Sequence, residues 1–236
     1  DITRLQKYDL DEGLKIGLAV NQVRDLVNGP HNLVHVETMS DKAKEIAAKN
    51  KLKIKVLDKK QLEKLKMGAL LGVNQGSKQE AKLVVLEYLP LGKRQEPIAI
   101  IGKGVVFDTG GVNIKPTIGI TEMHMDMAGG AVVLGIFSLL KELDIKQNVI
   151  GLIPLTDNSV DAASMKPSDI ITSYSGKTIE IGNTDAEGRL ILCDAISYAV
   201  KNYKPSAIID LATLTGACIV ALGDQMAGLF GNNDRM

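Results

Sequence analysis

Short apolar runs alternate along this chain with longer segments in which apolar residues recur at helical spacing. The runs typical of buried strands cover residues 52–57, 83–89, 97–101, 148–155 and 206–211, and the helical segments cover residues 13–27, 40–50, 59–66, 131–143 and 189–202. Such alternation predicts an α/β fold, with a mostly parallel sheet sandwiched by helices. In folds of this class, the site lies at the carboxyl ends of the strands.

The composition excludes several classes of function. Hydrophobic residues make up 45% of the 236 residues, but no apolar run is long enough to cross a membrane, so we expect a soluble globular protein. Lys and Arg number 28, as do Asp and Glu, and the zero net charge gives no field that would attract polyanions or lipid headgroups. With no Trp and three Phe, the chain also offers few rings for stacking bases. Neither nucleic acid nor a membrane is an expected partner.

The chain has two cysteines, Cys193 and Cys218, and neither belongs to a closely spaced pair of the kind that marks zinc or redox motifs. Both lie in apolar surroundings. We therefore expect a reducing compartment and a cytoplasmic location.

A first cluster of ionisable residues follows the apolar run that ends at residue 101. Lys103, Asp108, Lys115 and Asp126 lie within a segment rich in glycine. Any one of them alone is best explained as a solvated charge on a turn. Together they occupy the place where α/β sheets carry their sites, which favours a functional cluster.

A second cluster, Thr184 to Arg189, directly precedes a helical apolar run. Thr184 and Glu187 have the spacing of a capping box, which would stabilise the helix start without any chemistry. If the segment were extended instead, Asp185, Glu187 and Arg189 would project to one face, an arrangement that suits metal binding. The local pattern leaves both interpretations open.

Three familiar motifs match only in part. The triplet at residues 108–110 resembles the aspartic-protease loop, but that chemistry needs two such loops. Residues 175–178 resemble the end of a phosphate-binding loop, but Ile171 stands where glycine is required. A dinucleotide-binding fingerprint would need glycine in place of Phe107.

The three histidines, His31, His35 and His124, do not form a spaced ligand set, and we assign them no role. A metal would then be held mainly by carboxylates, which suit Mg²⁺ and Mn²⁺ and also accept Zn²⁺.

The order of five short motifs resembles that of the leucine aminopeptidase family. They are Gly-Lys-Gly (102–104), Phe-Asp-Thr-Gly-Gly (107–111), Ile-Lys-Pro (114–116), Met-x-x-Asp-Met (123–127) and the hallmark Asn-Thr-Asp-Ala-Glu-Gly-Arg-Leu (183–190). Similarity extends to residues 67–73 and 210–217. The resemblance implies that residues 1–236 are a single metallo-aminopeptidase catalytic domain, without the family's amino-terminal domain and the carboxyl-terminal part of its catalytic domain.

The resemblance also implies roles for individual residues. Lys115 and Arg189 match the catalytic pair. The matching metal ligands are Lys103, Asp108, Asp126, Asp185 and Glu187. The residues that would line the pocket for the first side chain of the substrate are Met123, Thr213 and Gly216, with the Leu214 carbonyl helping to hold the substrate amine.

A charge count supports this ligand set. Two dications are balanced by the four carboxylates only if Lys103 is neutral, although a free lysine has a pKa of about 10.4. Direct ligation to a dication displaces the proton, so we expect Lys103 to be a ligand rather than a salt-bridge partner. Lys115 and Arg189 then remain as positive charges that favour anions.

The resemblance predicts a metal-dependent aminopeptidase that releases Leu and similar apolar residues from short peptides with a free amino terminus. Two divalent ions (Zn, Mn or Mg) about 3.5 to 4 Å apart would share the attacking water, and one would bind the substrate amine. Lys115 would stabilise the oxyanion, and Arg189 would hold a bicarbonate that shuttles the proton. The complete protein is expected to be a homo-hexamer. Two alternatives are a non-catalytic metal-binding scaffold fragment and another two-metal hydrolase, such as a phosphatase.

Overall fold

The structure is a computed structural model that describes residues 7–234, with side chains from residue 10. The helices are α1 (Lys7–Asn28), α2 (Val36–Asn50), α3 (Lys59–Leu65), α4 (Gly68–Asn74), α5 (Thr117–Ile120), α6 (Ala128–Leu139), α7 (Glu187–Tyr203) and α8 (Ala217–Leu222). The strands are β1 (Lys53–Leu57), β2 (Lys82–Tyr88), β3 (Ile98–Gly102), β4 (Gly104–Asp108), β5 (Val149–Asn158), β6 (Ile170–Thr172), β7 (Thr178–Glu180) and β8 (Ala207–Leu211).

The main sheet is built around β5, all ten residues of which are buried. The strand order is β1-β2-β5-β3-β8, and β4 pairs with the second half of β5. The pairs β3/β5, β3/β8 and β4/β5 are parallel, whereas β1/β2 and β2/β5 are antiparallel. The predicted α/β class is confirmed, and the sheet is parallel where the predicted site residues lie. The reversed direction of β2, which lies between β1 and β5, was not foreseen.

Alternate residues of β2 reach opposite faces of the sheet, as the period of a strand requires. Leu83 and Val85 pack in one core with side chains of α3, α4 and α7. Val84 and Leu86 pack in the other with side chains of α2 and α6. Helices therefore cover both faces, as predicted. None of the helices in residues 7–234 combines the length and apolar character needed to span a bilayer.

Lys103 interrupts what would otherwise be one long strand. β3 pairs with the first half of β5 and β4 with the second half, while the backbone of Lys103 bonds elsewhere. Its N–H donates to Leu211 O at 2.9 Å, and its carbonyl accepts from Gly130 N at 2.8 Å. These bonds connect Lys103, between β3 and β4, with the end of β8 and with the start of α6.

The start of α6 approaches the sheet so closely that only glycine fits. A Cβ atom on Gly129 would lie 2.0 Å from Leu211 O and 2.9 Å from Lys103 N. Both atoms belong to the backbone, so the clash cannot be relieved by moving a side chain.

We expect Gly129→Ala to lower the free energy of unfolding by about 2 kcal/mol or more, as overpacking of a rigid contact does. Urea denaturation measures the change. The matched control is Gly13→Ala in α1, where an added Cβ meets nothing within 4 Å. That variant should be more stable by about 0.5 to 1 kcal/mol, since alanine is the better helix former. Equal stability of the Gly129 variant and the wild type would contradict the packing argument.

Candidate metal centre

The five predicted ligands converge at the carboxyl ends of the strands. Lys103 lies between β3 and β4, and Asp108 is the last residue of β4. Asp126 follows the 3₁₀ turn that precedes α6. Asp185 lies in a second 3₁₀ turn, and Glu187 begins α7. Three separate segments of the chain thus contribute the four carboxylates of one cluster.

Lys103 is buried in this cluster, with 3% of its surface exposed. Its Nζ lies 2.8 Å from Asp126 Oδ2 and 2.7 Å from Glu187 Oε1, and it donates to Thr213 O at 3.1 Å. Burial acts to lower the pKa of Lys103, but the two carboxylates outweigh it, and the net direction is upward. The charge count called for a neutral amine, whereas the structure has an ion pair. Ligation by Lys103 stays a prediction, and it requires a dication to displace the ammonium proton.

Lys115 forms ion pairs with the other two carboxylates of the cluster. Its Nζ lies 2.9 Å from Asp108 Oδ2 and 2.5 Å from Asp185 Oδ1. Burial opposes the charge on Lys115, but the carboxylates of Asp185 and Asp108 raise its pKa overall. Carboxylate oxygens of Asp108, Asp185 and Glu187 all lie within 4.8 Å of one another, a spacing that could hold a metal ion.

Three carboxylate oxygens of the cluster are shielded from solvent and accept no hydrogen bond of normal geometry from the described residues, although an ammonium group is close to each. They are Asp126 Oδ2, Asp185 Oδ1 and Glu187 Oε1. Burial raises the pKa of Asp126 to about 7, only partly opposed by Lys103, and burial also raises the pKa of Glu187. Four carboxylates against two ammonium groups leave two net negative charges. Oxygen donors of this kind fit divalent cations.

Neither conformation predicted for the second cluster is correct, although Asp185 and Glu187 do belong to the carboxylate cluster. The helix begins after Ala186, which has no side-chain cap, so Thr184 and Glu187 do not form a capping box. The segment is not extended either, because residues 184–186 form a 3₁₀ turn. Instead, Thr184 Oγ1 donates to Gly110 O at 2.7 Å and accepts from Asn113 N at 2.9 Å. Thr184 therefore fastens the turn to the loop after β4.

The predicted substrate residues are only partly connected to the cluster. Thr213 Oγ1 donates to Asp126 Oδ1 at 2.7 Å, and Leu214, 46% exposed, has its side chain against Gly188. Met123 lies in the 3₁₀ turn before Asp126, and Gly216 is the residue before α8. Their assignment to the pocket for the first side chain remains a prediction.

Arg189 is not brought into contact with the predicted ligands. It is exposed and lines a groove of about 250 Å³ together with Glu180, Asn183 and Cys193. In the described part of the chain, its guanidinium makes no hydrogen bond or ion pair. Its catalytic role also remains a prediction.

The fold and this site define an α/β protein with a carboxylate-rich cluster, which could hold a metal ion, at the carboxyl ends of its strands. The chain belongs to the cytosol aminopeptidase family, because the family model for the catalytic domain matches residues 21–236.

Similar proteins agree with this membership. The probable cytosol aminopeptidases of Chlorobaculum tepidum and Chlorobium phaeobacteroides are 49% and 50% identical over 225 and 232 residues, covering 95% and 97% of this chain. The solved structure of Caenorhabditis elegans leucine aminopeptidase matches 94% of this chain with a TM-score of 0.89 and 35% identity. The chain spans 45% of that structure's chain, and 45% and 46% of the two relatives.

Proposed function

We propose that this chain is the catalytic core of a metal-dependent aminopeptidase, which releases amino-terminal Leu and similar apolar residues from short peptides. The observation that carries the proposal is the cluster of four carboxylates at the strand ends of a chain from this family. Three of its solvent-shielded oxygens contact the ammonium groups of Lys103 and Lys115 and accept no other hydrogen bond from the described residues. The names of the relatives, probable cytosol aminopeptidases, support the same reaction.

The residues that would hold two divalent ions are Lys103, Asp108, Asp126, Asp185 and Glu187. The carboxylates are compatible with Zn²⁺, Mn²⁺ or Mg²⁺. When bound, the ions supply an ionised water as nucleophile and a positive centre for the free α-amine of the substrate. A peptide whose α-amine is blocked would lose its contact with the metal ions. The proposal thus accounts for selectivity for the amino terminus of the substrate.

We assign Lys115 the role of stabilising the oxyanion of the tetrahedral intermediate. Its raised pKa keeps it protonated at neutral pH, and it lies at the rim of the cluster beside Asp108 and Asp185. A fixed positive charge in a partly buried site needs little reorganisation as negative charge develops on the substrate.

Arg189 is a permanent cation and cannot act as a general base. Since it is exposed and has no ion-pair partner in the described residues, its guanidinium is free to bind an anion. We assign it a bicarbonate ion, which would carry the proton from the nucleophile to the leaving amine. The family name supports a cytosolic location for the complete protein. A homo-hexamer is proposed from the motif resemblance alone.

The proposal predicts which substrates the complete protein hydrolyses in the presence of Mn²⁺. Leu-p-nitroanilide should be cleaved, whereas acetyl-Leu-p-nitroanilide and p-nitrophenyl phosphate should release no product above background, because neither offers a free α-amine. Absorbance of the released p-nitro product measures all three. Turnover of the phosphate ester would favour a phosphatase, and Mn²⁺ binding without any turnover would favour a scaffold.

A further inference from the structure

Asn158 links two segments that carry predicted metal ligands. It is the last residue of β5, with 3% of its surface exposed. Its Nδ2 donates to Asp108 Oδ1 at 2.8 Å and to Thr184 O at 3.1 Å. One side chain therefore connects the end of β4 with the turn that contains Asp185.

The chemistry of its partners fixes the orientation of this amide. Asp108 Oδ1 and Thr184 O are both acceptors, and only the NH₂ group of Asn158 can donate to them. The flipped amide would place its oxygen against two other oxygens in a buried site, where unpaired acceptors are costly. Both N–H groups of the Asn158 amide therefore donate to residues of the site.

Asn158 determines which oxygen of Asp108 remains available to a cation. Asp108 Oδ1 accepts from Asn158 and also from Gly110 N at 2.9 Å. The other oxygen, Oδ2, faces the ammonium group of Lys115. Asp126 shows the same division, since Oδ1 accepts from Thr213 and Oδ2 faces the ammonium group of Lys103.

We infer that Asn158 is a positioning residue, which holds Asp108 so that Oδ2 meets the cation and keeps the turn with Asp185 at the correct distance. The inference rests on the proposed function, because it assumes that the cluster binds metal. Residues that orient metal ligands typically change metal affinity by about 10- to 100-fold when they are replaced.

The test compares substitutions at the two ends of β5 in the complete protein. Asn158→Leu keeps the shape of the side chain and removes its donors, and Asn158→Ser is a smaller change in case the leucine variant does not fold. The matched controls are Asn148→Leu and Asn148→Ser. Asn148 directly precedes β5, is fully buried, and donates to Gly92 O at 2.7 Å and Gln95 O at 2.8 Å.

Mn²⁺ alone is titrated into each metal-depleted protein, and free Mn²⁺ is followed by its electron paramagnetic resonance signal. Urea unfolding of the same samples reports stability. We expect both Asn158 variants to bind Mn²⁺ about 10- to 100-fold more weakly than the wild type. The Asn148 variants should lose stability and keep the wild-type affinity.

The possible failures are distinguishable. Wild-type affinity in a folded Asn158 variant overturns the positioning role and leaves the proposed function intact. An equal loss of affinity in the Asn148 variants also overturns it, because the cause would then be general weakening of β5. Absence of Mn²⁺ binding by the wild type overturns the proposed function and this inference together.

Discussion

Replacing Asp126 by Asn is expected to remove about one equivalent of bound Mn²⁺ and to lower kcat/KM for Leu-p-nitroanilide by roughly a hundredfold or more, because a lost metal takes several kcal/mol of transition-state stabilisation with it. Asp126 is buried, and its Oδ2 is one of the solvent-shielded oxygens that face an ammonium group. The amide keeps the shape of the side chain and removes its charge. Metal analysis after gel filtration, with steady-state kinetics, measures both effects.

The control for this variant is Asp194→Asn. The Asp194 carboxylate is also buried, but both of its oxygens accept hydrogen bonds from the backbone. Asp194 accepts from the backbone N–H groups of Ala69, Leu70 and Tyr174. Its amide variant should be less stable and should bind as much Mn²⁺ as the wild type. Undiminished metal content in Asp126→Asn would remove Asp126 from the ligand set.

Replacing Lys115 by Met should lower kcat by about 10²- to 10³-fold with little change in KM, the usual cost of losing one oxyanion-stabilising group. Unlike Asp126→Asn, which should lose bound Mn²⁺, this substitution should not weaken metal binding. Asp108 and Asp185 lose their ammonium partner, so the cluster becomes more negative and should bind Mn²⁺ at least as tightly as before. Kinetics and Mn²⁺ titration on the same preparation separate the two effects.

Lys146→Met is a suitable control for the loss of a lysine charge. Lys146 is exposed and paired with Asp144 on the surface, so its removal should leave kcat unchanged. If Lys115→Met turned over substrate at the wild-type rate, the oxyanion role would be excluded.

Elements with strong periodicity could be predicted from the sequence, and elements held by distant contacts could not. The helical pattern of residues 189–202 lies within α7, and all but the first residue of the apolar run 148–155 lies within β5. In contrast, α4 was not predicted. Its seven residues have little amphipathic pattern, and two N–H groups of its first turn bond to the carboxylate of Asp194, more than a hundred residues away. The reversed direction of β2, which makes both of its pairings antiparallel, was also missed, because side-chain alternation is the same in either direction.

The same distinction applies to the site. Motif order indicated which residues belong together, and the structure brings all five predicted ligands into one cluster. The residues that orient them were missed. Asn158 is 50 positions from Asp108, and Asn113 is 71 positions from Thr184, so no local spacing connects them. Asn113 could have drawn attention only as a polar residue in a glycine-rich loop.

The two ammonium groups within the carboxylate cluster have a consequence for how such a protein matures. Lys103 and Lys115 act as internal counterions, which reduce the repulsion among the acidic groups while the strands, α6 and α7 come together. A chain that carries its own counterions can reach its fold before it acquires dications. The balance of charge in the cluster therefore does not require a bound dication, and metal can be added after the chain has folded.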